Sequence, residues 1–138
     1  PSIVPGGANM AFQFRDADPA VLQRLEETIT AIVADENANG PCEVTLENTT
    51  RGVPARMDGG LQDCIEAAAE AIVPGKHVRM PSGAGHDAQV IAQKMPSSML
   101  FIPSIGGISH HWTEDTSDED IKLGAQVYVD AVRRMLMD

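Results

Sequence analysis

An α/β fold with a mainly parallel sheet is the architecture that this sequence predicts. The apolar period switches repeatedly between two residues, the mark of a half-buried strand, and about 3.6, the mark of an amphipathic helix. The helical stretches also carry start and stop residues at their ends, where those signals belong. With 138 residues, 43% of them hydrophobic, the chain can build one domain with a core, or two small lobes.

The first element is "ANMAFQFR" (8–15), where Met10, Phe12 and Phe14 alternate with smaller or polar residues as in a strand. "DADPAVLQRLEETITAIV" then turns helical. Asp18 is placed to cap, Pro19 suits the first turn, and Val21, Leu22, Leu25, Ile29, Ile32 and Val33 share one face. "NANG" (37–40) ends that helix, and "CEVTLEN" (42–48) is a second alternating strand, completing a β-α-β lobe. "TTRGVPARMDGG" (49–60) has no period and carries Gly and Pro, so it reads as a connection between lobes.

Behind it, 61–73 is helical and closes at Pro74 and Gly75, and 76–80 is a short strand. The stretch 85–95 is a helix entered through a glycine-rich turn. "SSMLFIPSI" (97–105) is the most apolar run and fits a buried central strand. The last helix opens on the capping box Ser117-x-x-Asp120, with Ile121, Ala125, Tyr128, Val132 and Met135 as its buried stripe.

A net charge of −10 argues against nucleic acid and against anionic membrane surfaces as partners, since both need a basic face. No apolar run reaches the length of a membrane span, and no charged-then-apolar leader opens the chain. A start at Pro1 is compatible with processing, trimming or a fragment of something longer. Cys42 and Cys64 have no CxxC or finger spacing, and Cys64 falls on the apolar side of its helix as a plain buried thiol. A reducing cytoplasm fits that usage.

In folds of this class the functional loops leave the carboxyl ends of the strands. Two loops qualify, "MPSGAGHDA" (80–88) and "PSIGGISHHWTED" (103–115), and together they hold three of the four histidines. Gly83, Gly85, Gly106 and Gly107 allow close approach of backbone N–H groups to a ligand. Imidazole and carboxylate are the common ligands of zinc and related ions. His110 is the first choice for a ligand, with His111 exposed beside Trp112 and Glu114 able to orient an imidazole. His86 and Asp87 fit a ligand, a base, an anion contact or a plain helix-entry pair. His77 lies in a strand and reads as structural. Arg15, at the end of a strand, suits a substrate carboxylate, and equally a surface ion pair with Asp16 or Asp18. Ser82 and Ser104 lack the context of a nucleophile elbow, and no Walker loop or dinucleotide fingerprint is present.

Taken together, "PSGAGHDA", "MLFIPSIGGISHHWTE" and "DIKLGAQV" resemble the C-terminal part of the hydantoinase/carbamoylase-type amidohydrolases, relatives of aminoacylases and metal-dependent exopeptidases. The front stretch "SIVPGGANMAFQFRDADPAVL" resembles the second half of the lid in that family. The resemblance implies residues 1–52 as half of a ferredoxin-like lid and dimerisation domain. It implies 53–138 as the C-terminal part of a three-layer metallopeptidase-like catalytic domain. By the same resemblance His110 corresponds to the last metal ligand, Gly85 to a glycine whose backbone contacts the substrate carboxylate, and Arg15 to the lid arginine that pairs with it. Ser2 stands where the family has an asparagine and is by the same resemblance a substrate contact, and Gln13 stands where the family commonly has an aspartate.

The implied activity is hydrolysis of an N-carbamoyl or ureido C–N bond in a small carboxylate-bearing substrate, with His86 beside Gly85 as a further substrate contact. The implied cofactors are two divalent ions, zinc or manganese. The family's other metal ligands and its general-base glutamate have no counterpart among these residues. The expectation is therefore a chain that is inactive alone and that dimerises or associates with an upstream part. A fold-keeping binding module and a related aminoacylase or peptidase are the alternatives.

Overall fold

The computed structural model describes residues 5–50 and 52–137. Ser2, expected to meet substrate, lies outside the described residues. Two compact units divide the chain, Pro1–Pro54 and Ala55–Asp138.

In the first unit a single long helix, α1 (Pro19–Asn39), is set by its ends. The Asp18 carboxylate accepts from the Ala20 N–H at 2.8 Å, and Pro19 occupies the first helical position, where its missing N–H costs nothing. At the far end the Gly40 N–H donates to the Glu36 carbonyl at 2.7 Å. Val21, Leu22, Leu25, Ile29 and Val33 form a half-buried ridge, while Ile32 turns outward and is 57% exposed. The segment 42–48 is fastened to the helix by Asn37, whose side-chain amide donates to the Val44 carbonyl at 2.9 Å and accepts its N–H at 2.8 Å. Asn37 thus supplies the two bonds that a neighbouring strand would exchange with Val44.

The second unit is organised by α2 (Gly59–Ile72) packed on α4 (Asp118–Met137). Their shared core is Ala68, Ala69, Val127 and Ala131, edged by Ile65, Ile72, Val73, Leu100 and Met135. Three alanines among the four allow the helices to approach closely. Burying a valine side chain is worth roughly 1.5–3 kcal/mol, so Val127 is the largest apolar contributor of the four. The start of α2 is fixed twice: Asp58 caps it by accepting from Leu61 N–H at 2.9 Å, and Asp58 N–H donates to the Ser97 carbonyl at 2.8 Å.

Along the polar face of α2 runs 76–80, held by Arg79 to Asp63 and Glu66, with His77 Nδ1 3.5 Å from the Glu70 carboxylate. Hydrogen bonds that the Arg79 guanidinium donates to Asp63 and then Glu66 hold its pKa above the ordinary value. The run 97–105 lies against α4 at Gly124, where a Cβ would overlap the Ile102 side chain. The capping box forms as expected: Ser117 Oγ accepts from Asp120 N–H at 3.1 Å and donates to its carboxylate at 2.6 Å.

Three expectations need correction. The segments 8–15, 42–48, 76–80 and 97–105 form no ladder, and no strand occurs among the described residues. An alternating pattern records two faces of an extended segment, but a strand also needs a neighbour to take its N–H and C=O groups. Here side chains and helices take several of those bonds. The run 97–105 is correspondingly half-buried at best, with Phe101 at 50% exposure. Second, the helix expected over 85–95 is shortened to α3 (Asp87–Ile91), followed by turns that return Lys94 and Met95 N–H groups to the Ile91 carbonyl.

Third, the buried side of α4 is turned by one residue. Val127 and Ala131 face the core, while Ile121 and Tyr128 are exposed. Contact with α2 selects the face that small residues open to close approach, over the face that is richest in apolar area.

Candidate functional site

Both glycine-rich loops belong to the second unit, and each is closed by its own hydrogen bonds. In 80–88, Ser82 Oγ lies 2.8 Å from His86 Nε2 and accepts from the Ala84 N–H at 3.3 Å. The His86 ring also packs on Phe101, with centroids 5.4 Å apart and planes at 55°. This imidazole is held from two sides at the entry of α3, where His86 is the N-cap and its carbonyl accepts from the Gln89 N–H at 2.9 Å, with no capping bond from the side chain. Gly85 sits between these anchors, and nothing lies within 4 Å of where its Cβ would be. Its backbone is therefore open to a ligand. Asp87 begins α3 in the first turn, where a carboxylate is favoured by the helix dipole.

The loop 103–116 is tied across its base by Ile105 N–H to the Asp115 carbonyl at 2.8 Å and Thr116 Oγ1 to the Pro103 carbonyl at 3.0 Å. Ser104 Oγ donates to the Ile108 carbonyl at 2.7 Å. Gly106 and Gly107 take φ of 68° and 69°, a tight reversal in the left-handed region that suits glycine.

His110 takes the same region with φ 55°, and no other non-glycine residue described does so. A side chain there crowds its own backbone, so the conformation persists only where surrounding bonds impose it. Two bonds do: the Glu114 carboxylate accepts from the His110 N–H at 2.7 Å, and Glu114 N–H donates to the His111 carbonyl at 2.9 Å. The role expected for Glu114 changes accordingly. It fixes the backbone of His110 rather than its ring. His111 is exposed, bonded through Nδ1 to Thr113 Oγ1 at 2.8 Å, with its ring 5.6 Å from Trp112.

Arg15 belongs to the first unit. Its Nε and Nη2 donate to Gln13 Oε1 at 3.0 and 2.8 Å. Asp16 and Asp18 are occupied at the entry of α1, accepting from the N–H groups of Asp18 and Ala20. His77 lies beside Glu70 and Glu66 on α2, in keeping with a structural role. Cys42 is exposed and Cys64 half-buried, and both are free thiols.

Among the described residues, no three His, Cys, Asp or Glu side chains converge as a group able to hold an ion. Within that set His86 Nε2 faces Ser82 Oγ, and one Glu114 carboxylate oxygen accepts the His110 N–H. Sequence reasoning missed the part played by Ser82. The spacing Ser-x-x-x-His across a glycine turn was the available signal.

The chain is 30% identical over 140 residues to the allantoate amidohydrolase of Bacillus subtilis (strain 168), covering 97% of this chain and 32% of that protein. It is 32% identical to the N-carbamoyl-L-amino-acid amidohydrolase of Rhizobium meliloti, covering 95% of this chain and 31% of that protein. The chain therefore spans about a third of the length of these curated relatives. Among solved structures it resembles an amidase (hydantoinase/carbamoylase family) from Burkholderia phymatum. The TM-score is 0.78 at 39% identity, over 87% of this chain and 28% of that one. This likeness supports the α/β, metallopeptidase-like class predicted for the fold. With residues 4–134 matching the family model, the chain belongs to the peptidase family M20/M25/M40.

Proposed function

We propose that the protein carrying this chain is an amidohydrolase that cleaves the linear N-carbamoyl or ureido C–N bond of a small carboxylate-bearing substrate. The relatives named for allantoate and N-carbamoyl-L-amino acids support the reaction class. The observation that carries the site is His110, a histidine held in a left-handed conformation by the Glu114 carboxylate. Backbone strain of this kind collects at functional positions.

In this reading His110 supplies one ligand to a centre of two divalent ions, zinc or manganese. Arg15 pairs with the substrate carboxylate through its guanidinium fork, as Arg does with planar anions. Gly85 offers its backbone N–H, and His86 and Ser2 are further substrate contacts. Residues 1–52 serve as half of a ferredoxin-like lid and dimerisation domain. Residues 53–138 serve as part of the catalytic domain. The protein works in the cytoplasm as a homodimer. In the same reading these 138 residues act together with an upstream part of the protein and are inactive without it.

A panel of allantoate, an N-carbamoyl-L-amino acid, an N-acetyl-L-amino acid and a dipeptide, offered to the full-length protein, tests the reading. Release of ammonia or a free amino acid from either of the first two is expected. Cleavage of only the last two would instead favour the aminoacylase or peptidase reading that the family's own description supports. Binding without turnover of any would make it a ligand-binding module.

A further inference from the structure

The segment 12–15 carries two different faces. Phe12 and Phe14 pack ring to ring on one side, 5.3 Å between centroids and tilted by 58°. Gln13 and Arg15, two residues apart, meet through their side chains: both Nε–H and Nη2–H of the guanidinium donate to the single oxygen Oε1 of Gln13. That edge of an arginine is the one a carboxylate takes in a bidentate pair. A neutral amide oxygen occupies it here. Asp16 and Asp18, the nearest acidic residues in sequence, each accept a backbone N–H through one carboxylate oxygen at the start of α1. Gln13 therefore orients the fork without adding a negative charge beside it.

We propose that Gln13 is a positioning and charge-setting residue for Arg15, which makes position 13 a determinant of how strongly the protein prefers a carboxylate-bearing ligand over a neutral one. The inference rests on the proposed pairing of Arg15 with the substrate carboxylate. It adds that the strength of that pairing is governed by its neighbour. An acid at position 13 would hold the same two N–H groups, and as a charged acceptor would hold them more tightly. It would also offset the guanidinium charge that an incoming carboxylate meets. Orientation and charge are thereby separable, because Gln and Glu have the same shape.

The test uses the full-length protein and its Gln13→Glu, Gln13→Ala and Arg15→Ala variants. Each is assayed for kcat and KM on an N-carbamoyl-L-amino acid and on the same compound with its carboxylate converted to a primary amide. Gln13→Glu is expected to raise KM for the carboxylate substrate about tenfold, equivalent to about 1.4 kcal/mol. Its kcat and its KM for the amide are expected to stay near wild type. Gln13→Ala should raise the carboxylate KM by a smaller factor through lost orientation.

If orientation were the only role, Gln13→Glu would bind the carboxylate as well as wild type or better, and the proposal would be overturned. Arg15→Ala separates the two levels. A large rise in its carboxylate KM beside an unchanged Gln13→Glu enzyme sinks only the role of Gln13. An unchanged KM in Arg15→Ala sinks the carboxylate reading of Arg15, and the role of Gln13 with it. Absence of turnover on both compounds, with no binding of either, overturns both.

Discussion

Replacing His110 by glycine should leave the protein more stable than replacing it by alanine, while either change destroys function. At φ 55° a residue with a Cβ sits in the left-handed region, which costs roughly 1–2 kcal/mol for an L-residue. Glycine removes that cost but has more conformational freedom to lose on folding, a penalty of about 0.4–1 kcal/mol. The bond from the residue-110 N–H to Glu114 is made by the backbone and survives either substitution. His110→Gly should therefore exceed His110→Ala in stability by about 0.5–1 kcal/mol, the surplus of relieved crowding over lost freedom. The imidazole is absent from both variants, so any metal or substrate it holds drops out of the comparison. Thermal unfolding of the two full-length variants, both metal-stripped, reads the difference as a higher midpoint for glycine. A glycine variant less stable than the alanine variant would refute the strained backbone, and with it the argument that position 110 is held there for its ring.

Asp58→Ala removes the side-chain cap on Leu61 N–H and should cost about 1 kcal/mol, seen as a lower denaturation midpoint or faster hydrogen exchange in the first turn of α2. Gly124→Val would drive a side chain into Ile102 and should destabilise by about 1–3 kcal/mol, whereas the same change at Gly83, with open space around it, should be nearly silent in the same unfolding assay. Glu114→Ala leaves the His110 N–H without its acceptor, and Glu114→Gln keeps one. Activity of the full-length enzyme should fall at least tenfold in the first, and the second should recover most of it. Equal loss in both would mean that the carboxylate acts by charge rather than by holding the loop.

The parts of the fold that are legible in the sequence are those governed by local chemistry. Asp18 with Pro19, and Ser117 with Asp120, announce helix starts because a capping side chain reaches only two or three residues along its own chain. Gly106 and Gly107 announce a reversal for the same local reason. What was illegible depends on distant partners. An alternating pattern such as Met10-Phe12-Phe14 fixes which side chains share a face, but not whether another strand lies alongside. The face that α4 buries is chosen by Ala68 and Ala69 of α2, so Val127 and Ala131 go inside although Ile121 and Tyr128 are larger.

At the site, the histidines and glycines marked both loops, since few other residue types serve close backbone approach or metal ligation. The partners of those histidines were not legible. Glu114 reaches a backbone amide, Ser82 reaches a ring, and neither choice leaves a periodic trace.

Metal content by elemental analysis, measured on the full-length protein and on its His110→Ala variant after dialysis against zinc or manganese, tests the central claim most directly. The account predicts about two divalent ions per protein chain in the wild type. It predicts loss of at least one from the variant, together with hydrolysis of the carbamoyl substrate. A His110→Ala variant that keeps its full complement of metal and its activity would contradict it.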